Sequence, residues 1–594
     1  MLQVDAFLQH VLLRCALLVL ACWLTYWDIL KGQWVSDDWD GIAAYDGKFK
    51  RIAQTTVGAS CGPIMAGGVN SGGSPWNDVL TWIRWHIGKA PNTNYQKLLD
   101  PAKPDGPKDE RQFVASPLRH HRLSLTLFSG ISILVYTFLS TLVGETTAFY
   151  TTLLWIVHPV GVQTVGWISG IGYVLAALFM FAGLNLAVLV GPTPWTQVPT
   201  LYAIPYTVGV VGLYALLQFL AFRSQFTSIA VVTVLIYLQL WVFALIAAGV
   251  AAFGLLHTVF TVVSVRATTF KQQRMEQSTK LYWKKLIVVG KTLYYYCKLA
   301  VFPKRLGLYH TFGYHYPMPF IEWEDRYFWA GTALGLGAIA AALMLPPPIP
   351  FAVLWWFSFL VFVLNWITVH QFVAERYLWL PVLTACLLVT TYAPPWLYWL
   401  LFGLALMRTW AHLPTYFNEL TFYQSNIWNY PTSEVALGNL GVTYLRLQAG
   451  GSAVDHWTLG TRVNPDYDVN WYNLYSIYRG QNMLDQARTF LLRALSCPTC
   501  HFPKEWRDEF NTLEMEMQWQ KQVLTLPLEQ RDRWQYETLQ RILQDPKAPY
   551  PTYWQGKAKA LDEYLKTHPL KALSSATLPP PSPPSPPSTP VPTP

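Results

Sequence analysis

Hydrophobic positions along this chain fall into long uninterrupted runs and show neither the alternation of half-buried strands nor the single apolar stripe of surface helices. The first run covers about residues 11–30. Others lie near 123–142, 146–157, 165–190, 201–221, 228–263, 286–302, 327–345, 350–369, 372–391 and 394–410. Most approach the roughly 20 residues needed to cross a bilayer, so the pattern predicts an all-α, polytopic membrane domain of about eleven spans over residues 1–410. No small-residue cleavage pattern follows the first run, which is therefore read as a retained anchor.

The polar residues between the runs set a sidedness. Arg266, Lys271, Arg274, Lys280, Lys284 and Lys285 form the densest basic loop, which the positive-inside rule puts in the cytoplasm together with the N-terminus. The opposite face then receives the loop 31–122, the His158-Pro159 turn, residues 303–326, the 370–376 junction and everything after about 411.

Beyond 410 the pattern changes to helical periodicity. Pro431, Asn439, Leu440 and Tyr444 recur 34 residues later as Pro465, Asn473, Leu474 and Tyr478, the period of a tetratricopeptide helix pair. Trp471, Leu474, Tyr478 and Ala487 take its packing positions in the second unit, and Leu440 and Tyr444 in the first. A repeat α-solenoid is expected over 411–570, capped by the helical stretch 504–567. Residues 571–594, rich in Pro, Ser and Thr, form a disordered tail.

Composition agrees: 594 residues, 52% hydrophobic and 13% charged, exceed the apolar content of a soluble chain. The net charge of +9 is largely the basic membrane loop and needs no nucleic acid. Seven cysteines, mostly isolated in apolar runs, make no disulfide framework. Cys497 and Cys500 form a lone C-x-x-C, too little for a tetrahedral zinc site, and no metal site is assigned.

Four stretches together resemble the GT-C glycosyltransferases, above all the transmembrane and tetratricopeptide-repeat O-mannosyltransferase-like family. "VSDDWDGI" stands where the family has an Asp-Asp pair, and "HRLSLTLF" (121–128) where it has a basic segment before the second span. "HPVGVQTVGWISG" (158–170) and "VAERYLWLP" (373–381) are similar to two further segments. The chain departs from the pattern at Leu123, Gln163, Ile171 and Tyr173, where the family has a Pro, a Glu, an Arg and an Asp.

The resemblance implies transfer of a mannose-like sugar from a polyprenyl (dolichyl or undecaprenyl) phosphate donor to a protein hydroxyl, in a bacterial inner membrane or the endoplasmic reticulum. Asp37 or Asp38 is then the candidate base, with Asp40 a boundary charge. Arg122, Arg376, Arg305 and Lys304 are candidates for the donor phosphate, with Glu375, His158 and Gln163 in support and Trp39 against the sugar. The plainer readings are a structural Glu375–Arg376 pair, a helix-ending His158, and membrane-edge anchoring by Lys304 and Arg305. The alternative function is a GT-C-like membrane scaffold that binds protein partners through its repeats and tail.

Overall fold

The computed structural model describes residues 2–36, 38, 83–84, 86–91, 113–190, 225–241, 243–252, 285–308, 310, 326–361, 363–365, 373–497, 500, 502–544 and 551–568. Among these the protein is helical almost throughout; its sheet is one antiparallel ribbon, β1 (Lys89–Pro91) with β2 (Phe113–Ala115). Contacts divide the chain into two compact units, Met1–Thr443 and Tyr444–Pro594. The helices just after residue 410 thus belong with the apolar unit, beyond the point where composition changes.

The first unit contains α1 (Leu2–Tyr26), α2 (Pro117–Val143), α3 (Glu145–Val157), α4 (Gly161–Gly166), α5 (Ile171–Val190), α6 (Gln225–Tyr237), α7 (Phe243–Ala252) and α8 (Lys285–Val301). It continues with α9 (Arg326–Met344), α10 (Ile349–Leu360), α11 (Glu375–Leu378), α12 (Val382–Tyr392), α13 (Pro395–His412), α14 (Glu419–Asn429) and α15 (Glu434–Arg446), whose last residues enter the second unit. Among the described residues, four helical stretches are long and apolar enough to cross a membrane: His10–Lys31, Pro117–Val143, Ile168–Leu189 and Arg326–Met344. Only 17% of the apolar window of Arg326–Met344 is buried, so Trp329, Leu336, Ile339 and Leu343 face outward, as lipid contact requires.

Local sequence explains the joints. α2 starts on Pro117, whose missing N–H is no loss in a first turn. It stops at Gly144, where φ is +79°, a value that side chains resist. An aromatic column then binds the first helices together: Tyr26 meets Phe128 edge-on at 5.5 Å, Phe128 meets Trp155 at 5.4 Å, and Trp155 stacks on Trp379 at 5.4 Å. Trp155 Nε1–H also donates to the Trp379 carbonyl at 2.8 Å, tying α3 to the end of α11 across 224 residues of chain. Midway along α1, Arg14 pairs with Glu145 at 2.6 Å.

The run 372–391, read as one span, is in two pieces. α11 ends at Leu378 and α12 starts after Pro381, so Glu375 and Arg376 lie in a separate short turn of helix. The run 228–263 is likewise broken, with α6 and α7 its described parts. The run 201–221, the basic loop apart from Lys285, and the tail lie outside the described residues.

The second unit comprises α16 (Gly450–Val463), α17 (Asp468–Gly480), α18 (Leu484–Leu495), α19 (Pro503–Thr525), α20 (Leu528–Gln544) and α21 (Pro551–Thr567). α17 packs on α18 through buried Ala487, Leu491 and Ala494, with Trp471 and Tyr478 both against Phe490. Leu474 is buried, and Tyr444 lies against His456 at 5.0 Å. Tyr472 stacks on Trp506 of α19 at 4.4 Å, and Trp519, Trp534 and Trp554 make a second core among α19, α20 and α21. Leu440, on α15, is buried within the first unit. Cys497 and Cys500 are buried free thiols.

α8 and α9 cross in close backbone contact. A Cβ at Gly331 would collide with the Gly290 carbonyl oxygen, so the two backbones touch only because neither residue has a side chain there. Gly331→Leu is expected to lower stability by about 1–3 kcal/mol through overpacking, read as a lower unfolding midpoint in detergent. Gly337→Leu on the same helix, where nothing lies within 4 Å, should leave the midpoint unchanged.

Candidate functional site

The stretch 158–173 is the spine of the site. α3 ends at His158, α4 follows, a 3₁₀ turn covers Ile168–Gly170, and α5 begins at Ile171. Nearly all of it is buried. Gly161 and Gly166 leave room for Tyr26 and Ile29; a Cβ on Gly161 would lie 2.7 Å from the Tyr26 hydroxyl. His158 fixes the turn, its Nε2–H donating to the Ala300 carbonyl at 3.0 Å while Nδ1 accepts the Val160 N–H at 3.4 Å, a tautomer assigned from these partners. Burial pushes this imidazole down to about 4, against the hydrogen bond to Ala300.

Asp38 is held against this stretch. Ser36 adopts a left-handed φ of 52°, which turns the chain so that the Asp38 N–H reaches the Val35 carbonyl and Asp38 Oδ2 accepts the Val35 N–H, each at 3.2 Å. Asp38 Oδ1 accepts from the Ser169 main-chain N–H at 2.8 Å and from the Ser169 hydroxyl. The carboxylate is fully buried. Arg84 reaches the same turn, donating to the Ile168 carbonyl at 3.0 Å.

Arg376 is held by the same stretch. Its main-chain N–H donates to Gln163 Oε1 at 2.7 Å, its Nε–H to the Tyr173 hydroxyl at 3.1 Å, and Nη2 to the Tyr377 hydroxyl at 3.2 Å. The guanidinium carbon is 4.7 Å from the Tyr377 ring centre, 5.7 Å from Trp167 and 6.0 Å from Tyr173. Every one of these partners is neutral. Arg376 Nη1, Gln163 Nε2 and Trp167 Nε1 are buried donors with no acceptor among the described residues.

Glu375, the neighbouring residue, points elsewhere. Its fully buried carboxylate accepts the Gly307 N–H, and its oxygens lie 3.2 Å from His310 Nε2 and 3.4 Å from His412 Nε2. His310 Nδ1 is 2.6 Å from the Tyr430 hydroxyl, which donates to the Arg305 carbonyl at 2.9 Å. Asn426 receives the Leu308 N–H at 2.6 Å. One carboxylate thus gathers the loop after α8, the end of α13 and, through Tyr430, the loop beyond α14. Burial pushes the Glu375 carboxyl upward, but hydrogen bonds and charge from the two histidines prevail and hold it down at about 2.

Arg376 and Gln163 therefore meet, Glu375 belongs to a separate cluster, and Asp38 is held by Ser169 of the same stretch. The side chains of Arg122, Lys304 and Arg305 are exposed, while Arg408 holds the carbonyls of Pro303 and Lys304 at 3.1 and 3.0 Å. Asp37, Trp39 and Asp40 lie outside the described residues. No cluster of three His, Cys, Asp or Glu placed for a metal occurs among the described residues. Ser169, His310, His412 and Tyr430 were not singled out from the sequence; the one local signal was a histidine at each end of an apolar helix's flanking segment, His310 after α8 and His412 closing α13. No family model, curated protein or solved structure matches the chain.

The depressed His158 contributes stability that is fully present above its ordinary 6.5 and is lost as pH falls through that value toward about 4, a span worth about 3 kcal/mol. The unfolding midpoint of the wild type should drop between pH 7 and pH 4.5 by more than that of His158→Gln, measured in the same detergent.

Proposed function

We propose that the chain is a multi-pass membrane glycosyltransferase that moves a sugar from a polyprenyl phosphate to a protein hydroxyl at the non-cytoplasmic face. The observation that carries this reading is that Asp38 and Arg376 are held by one stretch of chain: Asp38 by Ser169, Arg376 by Gln163 and Tyr173. Such a stretch sets a carboxylate region and a cation with an open donor at a fixed separation, which glycosyl transfer to a hydroxyl needs.

In the step, the acceptor hydroxyl oxygen bonds to the anomeric carbon as that carbon's bond to the phosphate oxygen breaks. The hydroxyl proton passes to a carboxylate, and the electron pair leaves on the phosphate, which needs positive charge and donors but no acid. Asp38 already spends its oxygens on Val35 and Ser169, so it suits the role of fixing the loop, and the adjacent Asp37 takes the base role. Arg376 Nη1 and Gln163 Nε2 receive the phosphate.

The remainder of the reading follows from the sequence: about eleven spans, a cytoplasmic N-terminus, and tetratricopeptide repeats that hold the protein acceptor outside. Outward-facing apolar side chains on α9 and α13, among them Trp329, Trp396 and Trp399, support lipid contact. The saturated Asp38 favours a second reading, a scaffold that uses this fold and its repeats to bind protein partners.

Transfer of labelled sugar from a polyprenyl-phosphate donor by purified protein tests the proposal. Asp37→Asn and Arg376→Gln are each expected to lose roughly 10²–10³-fold in rate, and Arg376→Lys to recover little, because a lysine lacks the planar fork. Wild-type protein inactive with every polyprenyl-phosphate sugar supplied would favour the scaffold.

A further inference from the structure

The connection 496–502 joins α18 to α19 and carries a C-x-x-C whose sulfurs the proposed glycosyl transfer does not use. α19 begins on Pro503 after Phe502, which gives the helix no side-chain cap, so hydrogen bonding at the helix start does little to fix the joint. The Cys500 N–H donates to the Cys497 carbonyl at 3.2 Å. A bond of that kind between residues three apart brings their Cα atoms within about 7 Å, the reach of a disulfide without backbone movement. Both side chains are buried, at 4% and 6% exposure. The Asp468 carboxylate acts on both sulfurs and Cys500 acts on Cys497, so the two thiols share one place in the core.

We infer that Cys497 and Cys500 are a disulfide site, closed by exchange with an external disulfide and serving as a covalent staple between the α17–α18 pair and α19. The inference rests on the reading that the repeats face the non-cytoplasmic side, where a bacterial periplasm and an endoplasmic-reticulum lumen are both oxidising. In the exchange one cysteine thiolate attacks the external disulfide, forming a mixed disulfide as one thiol leaves. The second cysteine thiolate then attacks the bonded cysteine sulfur and releases the other thiol. The two cysteines give up two protons and two electrons, and the external disulfide is reduced to two thiols.

The surrounding polar groups tolerate the loss of both S–H groups. Cys497 Sγ lies 3.5 Å from the Pro465 carbonyl and 3.3 Å from the Arg493 carbonyl. The first of these also accepts the Trp471 Nε1–H at 2.8 Å and the second the Ser496 N–H at 3.1 Å, so neither is left without a donor. Cys500 sulfur faces the Phe502 N–H, and a sulfur can accept in either state. Burial, with the Asp468 charge adding to it, pushes both thiols up, Cys500 to about 12. Neither is then the low-pKa nucleophile of an oxidoreductase, and the pair suits a lasting bond more than turnover. Cys500 packs among Tyr472, Leu491, Trp506 and Phe510, so the bond is made while the connection is still open, before α17 and α19 close over it.

Full-length protein taken from its membranes, with a maleimide present from lysis onward, tests this. After unfolding in maleimide, the peptide holding residues 497 and 500 should be unlabelled and lighter by two hydrogens than after reduction, while Cys22 and Cys386 take the label. In detergent, reductant should lower the unfolding midpoint of the wild type by roughly 3–6 °C and leave those of Cys497→Ser and Cys500→Ala unmoved. Thiols that are labelled as isolated and still labelled after treatment with oxidised glutathione overturn the inference, as does a bonded wild type whose midpoint ignores reductant. Thiols labelled as isolated that close with oxidised glutathione and then raise the midpoint support the staple and sink instead the placement of the repeats on the non-cytoplasmic side.

Discussion

Everything around the site depends on a carboxylate and a guanidinium on consecutive residues being turned apart. Glu375 and Arg376 share a four-residue helix, yet Glu375 closes a cluster with Gly307, His310 and His412, whereas Arg376 reaches Gln163, Tyr173 and Tyr377. Paired with each other they would form a self-satisfied buried ion pair of little use to a ligand. Held apart, each has to be satisfied by residues distant in sequence, and that requirement shapes the loop after α8, the end of α13 and the stretch 158–173. It also explains why α11 is separate from α12. A continuous helix through the Pro381 region would constrain the direction of Glu375 and Arg376 by the helix period alone, while a short independent turn can be placed by their partners.

The stretch 158–173 carries the consequence to the other side of the site. Gln163 and Tyr173 give Arg376 hydrogen bonds without neutralising it, and Trp167 lends it a π face. Six residues beyond Gln163, Ser169 gives Asp38 two donors. A shift in the buried spine would move both charged groups together, so their separation is protected by the packing of Gly161 and Gly166 against Tyr26 and Ile29. His158 anchors the start of the spine as a neutral imidazole, facing one carbonyl and one N–H.

Much of the helical pattern was legible in the sequence because lipid demands long apolar runs: the bounds of α2, α3, α8, α9 and α13 follow those runs closely. The break at Leu378 was not, since Trp379, Leu380 and Pro381 look as apolar as the helix that follows. Glu375 and Arg376 stood out as charges within an apolar stretch, and Gln163 and Tyr173 as departures from a resembled pattern. Their mutual contact did not stand out, because more than two hundred residues separate Arg376 from both. His310 lies in a polar segment where a surface histidine would look the same. Ser169 is one of many serines, and nothing local marks it as the partner of a carboxylate 131 residues earlier.

The unsatisfied donors give the site its chemical preference. A guanidinium N–H, an amide N–H and an indole N–H can only donate, and Arg376, Gln163 and Trp167 each present one with no acceptor among the described residues. Water would meet them only in part, because each water that accepts must also dispose of its own protons, and the nearby tyrosines already serve Arg376. A sugar hydroxyl has the same drawback. An ionised phosphate oxygen accepts and does not donate, carries the charge that Arg376 lacks, and offers several lone pairs to several donors at once. Removing an unmatched buried donor's penalty and pairing an unmatched buried cation are then one event. That coincidence of hydrogen-bond polarity and charge, more than the presence of an arginine, is what the proposed phosphate-ester reading of the site rests on.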